Sequence, residues 1–556
     1  MQSLNSRLSA NYKLAPACHS DLLTKTRMNL HGNNFIGEKL SATGTTTFSA
    51  VNPASGETLA PKFSEATREE IDSAVALAAE AFETLSALPA EQIAAFLDQV
   101  AEELLRLGPD LIARAQAETG LPEARLLMER GRTVGQIKMF ADLIREGSWL
   151  EATIDRAIPD RKPFPKADLR RMLIPIGPVA IFGASNFPLA FSVPGGDTIS
   201  ALAAGNPVIV KAHPAHPGTS ELVAQAFRLA ITATKMPAGI FSMVHGVSHD
   251  VGLHLVRHPQ VKAVGFTGSL KAGRALFDAA AARPEPIPVY AEMGSTNPVF
   301  ILPGALKKNG AAIAEGLVQS VTMGVGQFCT NPGLAFGLNG ADLNSFLEKA
   351  GQVATNAPSG TMLYQNLCAN FNKGIAGLEN VSGVRVVGKS AATDKQRAPA
   401  TVFTTNAQTF LANEVLHEEL FGPSTLVVSC DSATDFEKIA RALPGQLTAT
   451  IHGTEEDLAQ HKNLVSILQQ KVGRLLFNGF PTGVEVCPSM HHGGPYPATT
   501  NPMFTSVGTA AIKRFARPIC FQSFPDSALP TALQNKNRRN VWRLVDSKLT
   551  KDDLVG

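Results

Sequence analysis

Cys329 and Glu292 are the two side chains whose types and settings best suit covalent chemistry. Cys329 lies in the run Gly324-Val325-Gly326-Gln327-Phe328-Cys329-Thr330-Asn331-Pro332-Gly333, and Glu292 lies upstream in Ala291-Glu292-Met293-Gly294-Ser295. A thiol is the natural nucleophile toward an aldehyde or acyl carbon, and a carboxylate can activate the water that later releases the acyl group. The ordinary fate of a cysteine is to serve as a small hydrophobe in a core. Against that, Gly324, Gly326 and Gly333 let backbone come close to a ligand, and Gln327 and Asn331 are polar where a core run is apolar. Glu292 also reads as a surface carboxylate, but it ends a short β run, where site residues of α/β proteins collect.

Further candidates sit at predicted strand ends. Asn186, in Gly183-Ala184-Ser185-Asn186-Phe187-Pro188, offers an amide to an oxyanion or simply shapes a turn. Lys211 ends the run Val208-Ile209-Val210, where it can reach a ribose or phosphate or remain a solvated lysine. The G-x-G-x-x-G fingerprint is absent. Gly265-Phe266-Thr267-Gly268-Ser269-Leu270-Lys271-Ala272-Gly273 instead spans a predicted strand end and helix start, whose free N–H groups suit a pyrophosphate. A plain glycine turn gives the same pattern. His213 and His216, and His491 and His492, lack helical ligand spacing and a third ligand, so no metal is expected. No G-x-S-x-G elbow is present, which argues against a serine hydrolase.

These residues need rigid elements behind them. Short apolar runs at 179–182, 208–210, 240–244, 261–266 and 287–290 alternate with helical stretches through 204, at 218–232, 251–256 and 269–282. Such alternation predicts an α/β fold with a parallel, doubly wound sheet. Thr67 and Glu70 form a capping box ahead of the stripe Ile71, Val75, Ala78, Phe82, and a second stripe runs Ile93, Phe96, Leu97, Val100, Leu104. The proline-punctuated stretch near 160–175 reads as a hairpin outside the main core. Beyond Val299-Phe300-Ile301-Leu302 another α/β pattern continues to about residue 490.

With 556 residues the chain is suited to two or three domains. A net charge of +2 without a large basic block argues against nucleic acid, and Gly and Pro break the apolar runs before any reaches a membrane span. Six scattered cysteines without a C-x-x-C pair fit free thiols in a reducing cytoplasm. Residues 1–27 carry Arg7, Lys13, Lys25 and Arg27 against one acid, Asp21, and read as a disordered extension rather than a transit peptide.

The chain resembles the aldehyde dehydrogenase superfamily from about residue 40 to 525. The matching pieces are Gly183-Ala184-Ser185-Asn186-Phe187-Pro188, Val210-Lys211, Phe266-Thr267-Gly268-Ser269, Glu292-Met293-Gly294-Ser295, Gly326-Gln327-Phe328-Cys329 and Glu419-Leu420-Phe421-Gly422-Pro423, in the family's order. The runs Lys211-Ala212-His213-Pro214-Ala215-His216-Pro217, Asn478-Gly479-Phe480-Pro481-Thr482-Gly483 and His492-Gly493-Gly494-Pro495-Tyr496-Pro497 are similar to a narrower branch. That branch holds 2,5-dioxovalerate (α-ketoglutarate semialdehyde) dehydrogenases and related fatty-aldehyde enzymes.

The resemblance implies a dinucleotide-binding domain over 28–158 and 176–301 and a catalytic domain over 302–500. It adds a bridging flap from 159–175 and 501–525, with a strand from Thr505 onward, and a tail over 526–556. It implies a homodimer or homotetramer joined through the flap. Cys329 is the implied nucleophile, Asn186 and the Cys329 N–H the oxyanion donors, and Glu292 the base that activates water. Lys211 and Glu419 are implied for the riboses, Gly268 and Ser269 for the pyrophosphate, and Phe421 also for the cofactor. Phe187, Phe191 and Phe480 are expected to line the substrate pocket. NAD-preferring members often carry glutamate where Pro214 stands, so its loss permits NADP as well as NAD and favours NADP, with His213 and His216 near the phosphate. A CoA-acylating enzyme has no use for a base at Glu292, and a non-catalytic relic has no use for Cys329, Glu292 and Asn186 together.

Overall fold

The computed structural model describes residues 29–392 and 396–554. The expected extension over 1–27 lies outside these residues. The first sheet has seven strands in the order Val289–Glu292, Ala263–Thr267, Val179–Phe182, Val208–Lys211, Phe241–Val244, Asn34–Ile36 and Lys39–Ser41. The first five are parallel, and each of the last two is antiparallel to the strand before it. These five strands are short and mostly apolar because helices cover both faces. Chain direction switches on either side of Val179–Phe182, so a crevice opens at the carboxyl ends of that strand and Ala263–Thr267.

Helix Arg68–Leu85 starts where Thr67 caps it: Thr67 Oγ1 accepts from Glu70 N at 3.2 Å, and Glu70 Oε2 accepts from Thr67 N at 2.9 Å. The expected helix directly after Phe182 is shorter than the sequence suggested, spanning Gly196–Ala203. Pro188, Pro194 and Gly195 keep 183–195 non-helical, which leaves Asn186 and Phe187 on a loop above the sheet.

The second sheet also has seven strands: Arg385–Lys389, Thr401–Asn406, Ser424–Cys430, Leu334–Leu338, Val299–Ile301, Gln446–His452 and Val472–Phe477. All are parallel except the first. Val299–Ile301, placed by sequence at the end of the first unit, pairs here between Leu334–Leu338 and Gln446–His452. The chain crosses between sheets over 293–298, where Asn297 adopts φ 48°.

A third sheet runs Ala516–Gln522, Leu169–Pro175, Thr153–Asp155, Arg543–Val545, Lys548–Thr550. Its longest ladder pairs Ala516 with Pro175 through Gln522 with Leu169. The expected strand from Thr505 begins only at Ala516, after a 3₁₀ turn over Thr509–Phe515. Two strands come from the stretch read as a tail, and fully buried Arg543 anchors them by donating to the carbonyls of Gln534 and Asp552, both at 2.5 Å. Among the described residues no helix is long and apolar enough to cross a membrane, and no two cysteines form a disulfide.

Candidate active site

The Cys329 loop owes its shape to three successive left-handed residues, Gly324 (φ 56°), Val325 (φ 59°) and Gly326 (φ 67°). A Cβ at Gly326 would lie 2.2 Å from the Gly422 carbonyl, so this loop and the Glu419–Pro423 segment can meet only through glycine. Gln327 holds the turn by donating to Gly324 O at 3.1 Å and accepting from Leu363 N at 3.0 Å. Asn297 fixes the other side: its Nδ2 reaches the carbonyls of Cys329 and Asn331 at 2.9 Å and Ser295 at 3.1 Å. Gln446 Oε1 accepts from Thr296 N at 2.7 Å, which ties the crossover to the second sheet.

Glu292 ends its strand almost fully buried, and Cys329 lies part-buried beside it. His492 joins them. Its Nε2 is 3.4 Å from Cys329 Sγ and 3.0 Å from Glu292 Oε1, while Ser506 Oγ donates to Glu292 Oε2 at 2.5 Å. His492 Nδ1 is buried without a partner, so Nε2 is the ring atom that meets both the sulfur and the carboxylate. Burial alone would push the Glu292 carboxyl up. The attraction of His492 and hydrogen bonds from His492, Ser506 and Cys329 outweigh it and hold Glu292 below its ordinary range. The Cys329 thiol is pushed up by burial first and by the Glu292 carboxylate second.

His492 was the residue sequence reasoning missed. Its partners lie 163 and 200 positions away, and only the glycine-rich turn His491-His492-Gly493-Gly494-Pro495 hinted at a close approach. No third ligand stands near His492 along the chain, yet donor atoms of Glu292, Cys329 and His492 all lie within 4.8 Å, a set able to hold a metal ion. Hydrogen bonding accounts for the same spacing.

Asn186 stands beside the nucleophile loop, its Nδ2 donating to Gln327 O at 3.0 Å. Phe187 packs edge-on against Phe191 and Phe328, each pair 5.3 Å between centroids, and so forms an aromatic wall next to Cys329. Phe480 is not part of that wall. It packs on Gly316 and His452, in the core of the second sheet.

Ser269 caps helix Leu270–Ala281 with Oγ accepting from Ala272 N at 3.3 Å, and Gly268 N donates to Glu292 O at 3.0 Å. The helix start therefore faces the crevice at the switch point. Lys211 ends its strand nearby, its ammonium drawn down to about 8 by burial while Glu65 pulls the other way. His213, Pro214 and Tyr364 line a cavity of about 440 Å³. Burial, His216 and Lys211 hold the His213 imidazole well below its ordinary range. His216 instead secures the Asn186 loop through Ala184 O at 3.0 Å. Glu419 and Phe421 line a second cavity of about 370 Å³ with Ser295, Gly326 and Asn331. Enclosure pushes Glu419 up to about 8 against a hydrogen bond from the Ser295 backbone, although its outer side meets solvent, which moderates the effect.

Two open cavities, a free helix N-terminus and a strand-end lysine fit a dinucleotide lying across the carboxyl ends of the first sheet. A thiol and a carboxylate then meet, with an amide anchored on the loop that carries the thiol, an arrangement able to add a nucleophile to a carbonyl, hold the resulting oxyanion and deliver water.

Residues 40–495 match the model of the aldehyde dehydrogenase family. The chain is 51% identical over 524 residues to alpha-ketoglutaric semialdehyde dehydrogenase 2 of Azospirillum brasilense, covering 94% of this chain and 100% of that protein. It is 44% identical over 524 residues to alpha-ketoglutaric semialdehyde dehydrogenase of Acinetobacter baylyi, covering 94% and 99%. Aldehyde dehydrogenase C of Pseudomonas syringae, solved with NAD+ and octanal, shares the fold at TM-score 0.76 and 22% identity, covering 89% of this chain and 98% of that one. The chain belongs to the aldehyde dehydrogenase family and is an NAD(P)-dependent enzyme of that family.

Proposed function

We propose that this enzyme oxidises 2,5-dioxovalerate (α-ketoglutarate semialdehyde) to 2-oxoglutarate, with Cys329 as nucleophile and Glu292 as general base. The substrate reading rests on the two semialdehyde dehydrogenases that match over nearly the whole chain. The observation that carries the mechanism is the single His492 Nε2 lying between Cys329 Sγ and Glu292 Oε1.

Cys329 loses its proton to solvent, and the thiolate sulfur bonds to the aldehyde carbon. The His492 N–H steadies the sulfur as it gains negative charge, and again steadies it when it leaves. Asn186 Nδ2 and the Cys329 backbone N–H donate to the oxyanion. Bound NAD(P) supplies the hydride acceptor, held by Lys211, Glu419 and Phe421 and by the Gly268–Ser269 helix start. The substrate is left as a thioester on Cys329. Glu292, a carboxylate through the first half, then takes a proton from water, the hydroxide adds to the thioester carbon, Cys329 leaves as thiolate, and the Glu292 proton passes to solvent as the acid is released.

Pro214 and the uncharged lining around it admit a 2′-phosphate without repelling it, and a neutral His213 attracts it little, which supports use of both NADP and NAD. The seven-residue ladder at the edge of the third sheet supports a homodimer or homotetramer through that sheet, and cysteines without a disulfide among the described residues fit a reducing cytoplasm.

The test is a kcat/KM ranking of 2,5-dioxovalerate against hexanal without CoA, with Cys329→Ala as control. The expected result is a clear preference for 2,5-dioxovalerate and no turnover by the variant. A win for hexanal moves the enzyme to the fatty-aldehyde class, which the aromatic wall of Phe187, Phe191 and Phe328 would suit. Reduced cofactor forming only with CoA makes it acylating.

A further inference from the structure

A semialdehyde that also carries a carboxylate needs a cation at its far end, and Arg132 is placed to supply it. Arg132 lies on helix Glu123–Glu146, with its guanidinium 5.3 Å from the ring centroid of Phe191, on the aromatic wall that continues through Phe187 and Phe328 to Cys329. Its Nη1 is buried and has no hydrogen-bond partner. Burying a guanidinium without an anion is unfavourable, so a site that keeps one in this state is built for an anion that arrives.

The neighbouring charges do not satisfy it. Glu129, one turn earlier, is fully engaged: Oε2 accepts from Arg125 at 2.7 Å, and Oε1 accepts from Leu189 N and Ala190 N at 2.9 Å. Arg125 is thereby paired, and it also covers the Phe187 ring at 4.4 Å. Arg474 spends its terminal nitrogens on Pro481 O at 2.7 Å and Gly483 O at 3.3 Å. Exposed Glu485 acts on Arg132 through space but forms no ion pair with it among the described residues. Arg132 also acts on the Cys329 thiol through space, drawing it down against burial and the carboxylates. In 2,5-dioxovalerate four carbon–carbon bonds, about 5 Å of extended chain, separate the aldehyde carbon from the carboxylate.

We infer that Arg132 receives the distal carboxylate of the substrate across the Phe187–Phe191 wall from Cys329, and so selects acid-bearing aldehydes over plain aliphatic ones. This rests on the substrate reading above. The experiment measures kcat/KM for 2,5-dioxovalerate and for pentanal in wild type, Arg132→Gln, Arg132→Lys and Arg474→Gln, with melting temperatures and competitive inhibition by 2-oxoglutarate. Loss of a charge-assisted contact predicts that Arg132→Gln lowers the 2,5-dioxovalerate to pentanal ratio by about 30-fold or more, through KM, and weakens 2-oxoglutarate inhibition to a similar degree. Arg132→Lys keeps part of the ratio, because the charge remains while the planar fork is lost. If Arg132→Gln does not fold, Arg132→Lys decides, and a ratio equal to wild type overturns the inference. A ratio unchanged in Arg132→Gln, an equal loss on both aldehydes, or a ratio lost in Arg474→Gln but kept in Arg132→Gln also overturns it. Wild type preferring pentanal sinks the substrate reading itself, whereas wild type preferring 2,5-dioxovalerate with that preference intact in Arg132→Gln sinks only the role of Arg132.

Discussion

Replacing Glu292 with glutamine removes an anion from beside a thiol, and its two consequences run in opposite directions. Glu292 and Cys329 donor atoms lie within 4.8 Å, and Glu292 is second only to burial in pushing the thiol up. Two unit charges at that separation interact by about 3.5 kcal/mol at an effective dielectric of about 20. Cys329 meets solvent, so about half of that is retained, equivalent to roughly 10- to 30-fold more thiolate at neutral pH. The sign is fixed: Glu292 disfavours the charged thiolate, so its removal brings ionisation down in pH. The assay is the rate of Cys329 alkylation by iodoacetamide in nucleotide-free protein across neutral and alkaline pH, read by mass spectrometry. The variant is expected to react faster than wild type at neutral pH, with its pH profile displaced toward acid. Turnover moves the other way. Without a base for water, the steady-state rate falls by about 100-fold or more while a first burst of reduced cofactor persists. Alkylation that is unchanged or slower in Glu292→Gln would refute the reasoning, because it would mean that the carboxylate activates the thiol rather than restraining it.

His492→Leu is expected to slow the burst itself by about tenfold, since the N–H that meets the developing sulfur charge is lost; stopped-flow detection of the reduced cofactor checks this, and an unchanged burst rate removes His492 from thiol chemistry. Gly326→Ala forces a Cβ against Gly422 at a left-handed φ, so it should destabilise the protein by about 1–3 kcal/mol or displace the Glu419–Pro423 segment. A lower melting temperature together with a raised KM for NAD(P) is the expected pair of results, and wild-type values of both would show that the contact yields freely.

The strands of the first sheet were legible because burial on both faces leaves continuous apolar runs, and the Thr67–Glu70 cap was legible because all its atoms are local. Thr153–Asp155 and Arg543–Val545 were not, since three residues are too few to show alternation. Val299–Ile301 looked like its predecessors, and only the left-handed turn at Asn297 sends it into a different sheet. Cys329, Glu292 and Asn186 carried signals in their immediate neighbours, whereas His492 had only a glycine-rich turn beside it and Arg132 nothing: each is defined by partners, or by the lack of them, that come from distant parts of the chain. Phe480 shows the converse, an aromatic beside a plausible loop that the structure spends on packing.

The anchorage of Asn297 to the carbonyls of Ser295, Cys329 and Asn331 has a bearing on how this molecule matures. Glu292 is delivered by one sheet, the nucleophile loop by the other, and His492 by a return segment that follows both. During refolding, therefore, backbone order can be regained in each half well before any competence for chemistry. The appearance of turnover should trail circular dichroism, and it would time the docking of the halves rather than the formation of either.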